Sequence, residues 1–360
     1  MSAKKNIPER KKILMVATEA VPYVSVGGAG SVMGHLSKAL VKIGHDVRVF
    51  IPKFGSIEED KYPLETIYEG LKVPTNDTNT PELICNIKKL VNDAGVTFYF
   101  LENQEYFEKR ANVYGYKDDS VRFLLLSRGV IEFIRTGIFV PDVIHCNDWH
   151  TGAVPNLLKT TYKQDSIFDD VHTVFTIHNL AYQGNFDHRH MSELEYDDGS
   201  SDIPSFFSPR TESLNFMKRG IIYADAVNAV SKSYAREILT PEFGEGLDKI
   251  LLPMKSKLFG IVNGIDYEEF NPLTDTMIEK NYDVRSLDKR QDNKKALQKE
   301  FGLEIKDNSL LLGFVGRLDY MKGVDMAISV LRNAMKEYDI QFVEIGAGYW
   351  SLVEMLEGLV

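Results

Sequence analysis

Short, uninterrupted apolar runs recur along this chain and alternate with segments of helical periodicity. A strand that is covered on both faces needs such a run, because neither of its faces meets water. Between the runs, segments such as 32–43 and 121–134 place apolar residues three or four positions apart, as a helix with one buried face does. This alternation predicts an α/β fold built on an open, doubly wound sheet. The runs are 13–17, 47–51, 96–101, 143–145, 173–177, 226–230, 258–262, 310–315 and 342–345.

The length of 360 residues favours two domains. The segment 252–271 is the predicted hinge, because Pro253 and the pair Asn263-Gly264 interrupt regular structure there. We therefore expect one domain over 1–255, followed by a linker and a second, smaller domain over 256–360. Two strands and three helices make a poor free-standing sheet, since its edges present unpaired backbone. The sequence thus predicts an incomplete second domain, either truncated or completed by another chain.

Charge and cysteine content exclude several classes of function. The chain has 42 basic and 52 acidic side chains, a formal charge of −10, which argues against affinity for nucleic acid or anionic membranes. Cys85 and Cys146 are far apart and indicate neither a disulfide framework nor a zinc site. The first ten residues resemble no signal or anchor, and no apolar run approaches the roughly 18 residues of a membrane helix. We expect a cytoplasmic protein.

A glycine-rich segment, residues 26–32, lies between the first strand and the first helix, and we call it the glycine loop. It contains Gly27, Gly28 and Gly30, which would let backbone amides and a helix N-terminus approach a phosphate closely. Tight turns from strand to helix also use glycine for steric reasons alone. The loop by itself favours neither interpretation.

Polar and aromatic residues follow two of the predicted strands. Asp148, Trp149 and His150 come after the strand at 143–145, where they could hydrogen-bond and stack on a sugar. Taken alone, a helix cap with Trp149 packed into the domain is the simpler interpretation. His178 and Asn179 directly follow the strand at 173–177. A lone histidine is usually structural, but two such strand ends together favour a ligand site.

Two further histidine patterns suggest no metal site. His145 and His150 match no common ligand spacing, and no third ligand is evident. The run 188–190, His-Arg-His, is interpreted as a solvated loop. We therefore expect no metal site at these histidines.

Two cations follow the predicted strand 310–315. Arg317 and Lys322 lie between that strand and the next helix, where both could bind one anion such as a diphosphate near backbone donors. The alternatives are an ion pair between Arg317 and Asp319 and a solvated lysine at position 322.

Long motifs recur in order along most of the chain, from about Lys12 to Gly348. They lie at 142–152, 176–186, 223–225, 230–238, 240–244, 246–248, 263–266, 271–272 and 316–323. Together these motifs resemble the bacterial glycogen synthase and plant starch synthase family, and the resemblance is highly specific because the motifs are long.

The resemblance implies two Rossmann-like domains facing a cleft, an arrangement known as GT-B. It also implies transfer of glucose, with retention, from ADP-glucose or UDP-glucose to the nonreducing end of an α-1,4-glucan, without an obligatory metal. His178, Arg317 and Lys322 would be catalytic. The donor would contact Gly27, Gly28, Arg317, Lys322 and Gly346, and the acceptor would contact Tyr114, Asp148, Trp149 and Asn179.

The chain departs from the family pattern in the glycine loop and near its C-terminus. Ser25 stands where the family has lysine, and Ser31 stands where it has aspartate. The segment that starts at Gly346 lacks the usual acidic residue, and the chain ends before the family's glutamate-containing donor motif. Losing one preorganised charge in such a site lowers rates by about 10²–10³. These departures leave open a second hypothesis, a noncatalytic relative that binds glucan or nucleotide.

Overall fold

The computed structural model describes residues 9–184 and 197–359. It divides into two compact units, and the division falls after Gly264, within the predicted hinge segment 252–271. Across the described residues, no helix is long and apolar enough to cross a membrane.

The first unit is built on one mixed sheet. Within the described part of the chain, nine strands pair in the order β3-β4-β5-β2-β1-β6-β7-β8-β9. The strands from β5 through β9 in this order pair in parallel, so their carboxyl ends lie along one edge. The strands are β1 (Lys12–Val16), β2 (Asp46–Pro52), β3 (Glu65–Pro74), β4 (Glu82–Val91), β5 (Thr97–Glu102), β6 (Val143–Asn147), β7 (His172–Ile177), β8 (Ala226–Ala229) and β9 (Leu258–Gly260).

An antiparallel hairpin at one edge of this sheet was not predicted. β3 and β4 pair antiparallel, and β4 pairs antiparallel with β5. The apolar-run criterion finds strands that are buried on both faces, whereas β3 is largely exposed, and near its end exposed Lys72 lies between buried Leu71 and Val73. The prediction of a doubly wound α/β fold is confirmed, and the hairpin adds two antiparallel strands to one edge of the sheet.

Helices cover the sheet, and the two predicted helical segments are both present. The helix α2, Asp119–Arg135, is buried on nearly every side. Even Arg122 and Arg128, which lie on this helix, are at most 1% exposed. Arg122 is stabilised there because it donates to the backbone carbonyls of Tyr106 and Val113 and pairs with Asp119. The helices of this unit are α1 (Gly28–Lys42), α2 (Asp119–Arg135), α3 (Ala153–Lys159), α4 (Phe216–Tyr223), α5 (Tyr234–Glu237) and α6 (Asp248–Leu251).

The second unit follows the predicted order of elements. Two parallel strands pair from Leu310 opposite Ile340 to Val315 opposite Ile345. Leu318, Val324, Ile328 and Leu352 form its small core. Its elements are α7 (Arg290–Glu300), β10 (Leu310–Val315), α8 (Val324–Glu337), β11 (Ile340–Ile345) and α9 (Trp350–Glu357).

Candidate functional site

The exits of three adjacent strands bring the predicted site residues of the first unit together. β1, β6 and β7 are neighbours in the sheet and run in parallel. Glu19 follows β1, Asp148 follows β6 and His178 follows β7. Parallel strands place their carboxyl ends at the same edge, which is where ligands bind in open α/β sheets.

Asp148 holds the backbone at the exit of β7. Its Oδ1 accepts a hydrogen bond of 2.8 Å from the backbone N–H of His178, and its own N–H donates to the carbonyl of Thr176 at 2.9 Å. Its backbone, with φ 56° and ψ 179°, occupies a region almost reserved for glycine. Such strain costs roughly 1–3 kcal/mol and persists where surrounding bonds impose it, often at functional sites. Burial raises the pKa of Asp148, although the facing His178 opposes the shift.

His178 is half-buried, and both its backbone and its ring are held. The ring Nε2 lies 3.1 Å from Oδ1 of Asn147, the last residue of β6. Asn179 beside it accepts from the N–H of Ala181 at 3.0 Å, which fixes the turn that follows β7. The motif continues into residues 185–186, and these, like the run 188–190, lie outside the described residues.

Trp149 and His150 belong to a packed aromatic cluster. Trp149 is 8% exposed, its ring centroid lies 3.9 Å from that of His150, and it meets Phe123 edge-on. A Cβ atom at Gly184 would lie 2.2 Å from Cε3 of Trp149, so glycine is required there. Burial holds the pKa of His150 well below its usual value, so this ring is neutral at pH 7. The packing agrees with the simpler interpretation of Trp149, and its role in acceptor binding stays a prediction.

Tyr114 connects this aromatic cluster to the exit of β1. Its ring centroid lies 4.8 Å from that of His150. Its hydroxyl donates to Oε1 of Glu19 at 2.9 Å and lies 2.6 Å from Oγ1 of Thr18. Burial and the Glu19 carboxylate raise the pKa of Tyr114. The hydroxyl is therefore engaged within the site's own hydrogen-bond network.

The glycine loop is tied to Glu19, which sequence reasoning missed. Glu19 is 4% exposed, and its carboxylate accepts from the backbone N–H groups of Val26 and Gly27. The loop amides that we expected to bind a phosphate therefore already donate hydrogen bonds to Glu19 within the protein. Gly28 opens α1, and the Glu19 carboxylate supplies the negative charge at this helix end, since it accepts from the N–H of Gly27, the residue that caps the helix. The signal that could have found it is a carboxylate three residues after the end of β1, comparable to the histidine that follows β7.

In the second unit, Arg317, Lys322 and Gly346 lie in the loops that follow two paired strands. Arg317 is exposed, and its Nε is 3.8 Å from Asp319, a weak ion pair. Lys322 ends a 3₁₀ turn and has no ion-pair partner among residues 9–184 and 197–359. A Cβ atom at Gly346 would lie 2.0 Å from the carbonyl oxygen of Gly316, so only glycine permits the two loops to approach this closely.

No group of three metal-binding side chains lies together in the described ranges 9–184 and 197–359. The arrangement offers hydrogen-bond donors and acceptors in the first unit and exposed cations in the second. These are groups that bind hydroxyls and phosphates, respectively.

Comparison with known proteins identifies the family. Residues 12–252 match the sequence model of the starch synthase catalytic domain. The glycogen synthase of Clostridium botulinum (strain Eklund 17B / Type B) is 40% identical over 341 residues, which are 94% of this chain and 69% of that protein. That of Moorella thermoacetica is also 40% identical over 341 residues, 94% of this chain and 67% of that protein.

A solved structure agrees with these sequence matches. The catalytic domain of Starch Synthase IV from Arabidopsis thaliana, bound to ADP and acarbose, superposes with a TM-score of 0.83. Its sequence is 29% identical, and the match covers 98% of this chain and 71% of that one. The fold is that of a GT-B glycosyltransferase. Within that class, the chain belongs to the glycogen and starch synthase family.

Proposed function

We propose that this protein transfers glucose from ADP-glucose to the nonreducing end of an α-1,4-glucan with retention of anomeric configuration. UDP-glucose is the alternative donor. His178 of the first unit contacts the transferred glucose. In the second unit, Arg317 and Lys322 bind the diphosphate, whose charge increases as it leaves, so preorganised cations stabilise the transition state more than the ground state.

The gathering of strand exits in the first unit carries this proposal. Asp148, His178 and Asn179 stand at motif positions of the glycogen and starch synthase family, and the parallel order β1-β6-β7 places them at one edge. The bound ADP of the Arabidopsis thaliana relative favours an adenine nucleotide donor. Gly27, Gly28 and Gly346 are assigned to donor binding, and Tyr114, Asp148, Trp149 and Asn179 to acceptor binding.

Glucose transfer from labelled donor to maltoheptaose tests the proposal. ADP-glucose should be used well and UDP-glucose less well, and proton NMR of the product should show a new α-1,4 linkage. Arg317→Ala and Lys322→Ala should each lower kcat/KM by about 10²-fold or more, since each removes a charge that stabilises the transition state.

Arg285→Ala provides the matched control. Arg285 is also in the second unit, its side chain is 87% exposed, and it pairs with Asp283 at 3.0 Å. This variant should transfer glucose at the wild-type rate. Unchanged transfer in both the Arg317 and Lys322 variants would remove these residues from the donor site.

A noncatalytic glucan- or nucleotide-binding relative is the second candidate. It is favoured by Ser25 and Ser31, which replace a cation and an acid of the family pattern, and by the internal engagement of the loop amides with Glu19. This candidate predicts that maltoheptaose or ADP binds in calorimetry while no donor is consumed at any concentration. Substituting Trp149 with alanine should then weaken glucan binding.

Two further expectations concern the need for a metal or cofactor and the location of the protein in the cell. Transfer should need no metal or cofactor, so dialysis against EDTA should leave the rate unchanged. Cys85 and Cys146 are buried free thiols, which agrees with the proposed reducing, cytoplasmic location.

A further inference from the structure

Asn147 lies behind His178, and its side-chain amide has a determined orientation. The amide is buried, with the residue 3% exposed. Nδ2 lies 3.2 Å from the carbonyl oxygen of Val16 on β1 and 3.0 Å from that of His145 on β6. Carbonyl oxygens only accept hydrogen bonds, so the atom facing both of them must be the donor nitrogen. The other amide atom, which faces His178, is therefore the oxygen.

This orientation determines which ring nitrogen of His178 carries the proton. Oδ1 of Asn147 can only accept, and it lies 3.1 Å from Nε2 of His178. Nε2 must therefore be the protonated nitrogen, because a neutral imidazole has one donor and one acceptor. Nδ1 keeps its lone pair, and no other described residue provides a hydrogen-bond partner for it.

We propose that Asn147 is a positioning residue that holds His178 in the Nε2–H tautomer and so leaves Nδ1 to accept a hydrogen bond from a sugar hydroxyl. The inference rests on the proposed function, in which His178 contacts the transferred glucose. Asn147 acts through His178 and does not itself touch substrate.

The titratable groups beside His178 do not hold its ring, so Asn147 is the residue that determines the tautomer. Asp148 uses Oδ1 to hold the backbone N–H of His178 and so positions its backbone. His145 bonds Thr176 through its own Nε2 at 2.7 Å. Burial, together with His178, lowers the pKa of His145 to about 4, and burial also lowers that of His150, so both rings are neutral at pH 7. Two consecutive residues at the exit of β6 thus hold His178. Asn147 contacts its ring, and Asp148 contacts its backbone N–H.

The tautomer can be measured in the ligand-free protein. Long-range proton–nitrogen NMR of the ¹⁵N-histidine-labelled chain distinguishes protonated from unprotonated ring nitrogens, and the His178→Gln variant assigns the signals. We expect wild-type His178 to be almost entirely the Nε2–H form. Asn147→Ala should give a mixture of both tautomers.

Asn147→Asp and Asn156→Ala separate positioning from a merely structural role. Asn147→Asp keeps an oxygen acceptor in place of the amide oxygen, so the Nε2–H form of His178 should persist in this variant. Asn156 is the matched control, because it is 1% exposed and accepts from Arg219 at 2.8 Å without contacting His178. Asn156→Ala should leave the His178 signals unchanged.

The outcomes decide the proposal independently of activity. A wild-type His178 in the Nδ1–H form, or a tautomer mixture unchanged by Asn147→Ala, would overturn it. If Asn147→Ala does not fold, the His178 tautomer of the wild-type protein and that of Asn147→Asp still decide. With ADP-glucose and maltoheptaose, kcat of Asn147→Ala should fall about tenfold, the value of one net hydrogen bond, while Asn156→Ala keeps it. Absence of transfer by the wild-type protein would overturn the proposed function while leaving the NMR result valid.

Discussion

Glu19 anchors the glycine loop, and replacing it tests how the loop is organised. This residue is 4% exposed, and its carboxylate accepts from the N–H groups of Val26 and Gly27 and from the hydroxyl of Tyr114. Glu19→Ala would remove all of these bonds together. The loop would lose its connection to the end of β1.

The size of the loss in stability depends on which hydrogen-bond partners the former ligands of Glu19 keep in the Glu19→Ala variant. Hydrogen bonds to a charged group are worth roughly 1.5–3 kcal/mol each. Val26 and Gly27 are exposed residues whose amides can turn to water, and the Tyr114 hydroxyl keeps Thr18 as a partner at 2.6 Å. Removing a buried carboxylate also removes the free energy needed to desolvate it. We therefore expect the free energy of unfolding to fall by about 2–4 kcal/mol, less than the full sum of the bonds.

Urea unfolding of the first unit measures this loss. The chain has two tryptophans, Trp149 in the first unit and Trp350 in the second. In a Trp350→Phe background, fluorescence therefore reports the first unit alone. Glu19→Ala should also weaken ADP binding by about tenfold, because the loop must then be ordered when the ligand binds.

Glu132 offers a matched control for this prediction. It is also buried, at 7% exposure, and accepts from the hydroxyl of Tyr162 at 2.6 Å. Glu132→Ala should lower stability similarly and leave ADP affinity unchanged. The reasoning would be refuted if Glu19→Ala kept the wild-type urea midpoint, or if both variants weakened ADP binding equally.

Three further predictions concern the first unit's stability. The pKa of His145 is about 4 in the folded protein and 6.5 in the unfolded chain, so the unfolded state binds a proton first as pH falls. This histidine alone should therefore lower the free energy of unfolding by about 2 kcal/mol between pH 7 and pH 5. Asp197→Ala leaves Arg219, which is 0% exposed, as an uncompensated buried charge and should cost about 3–5 kcal/mol. Gly152→Ala places a Cβ atom 1.9 Å from the carbonyl oxygen of Phe216 and should cost about 3 kcal/mol or more.

Each of these three predictions is tested by urea unfolding against a control variant. His145→Gln should reduce the loss between pH 7 and pH 5, and an identical loss would contradict the assignment. Glu82→Ala breaks an exposed ion pair with Lys72 in the first unit and should hardly change the unfolding midpoint, so equal losses in the Asp197 and Glu82 variants would count against the burial argument. Gly264→Ala meets no atom within 4 Å and should be tolerated.

The parallel strands and helices could be predicted from sequence because their signals are local. β10, for example, begins and ends where its apolar run does, at Leu310 and Val315. The hairpin of β3 and β4 could not be predicted in the same way, since an alternating strand near an edge has a weaker pattern. The residue types at the strand exits, such as His178 after β7, were also visible.

The sequence by itself determined which elements form and which chemical groups follow the strands, because periodicity and residue type belong to neighbouring positions. Only the tertiary structure decided how those groups are used. It engaged the loop amides with Glu19, packed Trp149 against His150, and placed Asn147 behind the ring of His178. The contact between Asn147 and His178 joins residues 31 positions apart, and it arises from the order and register of strands in the sheet, which no local pattern contains.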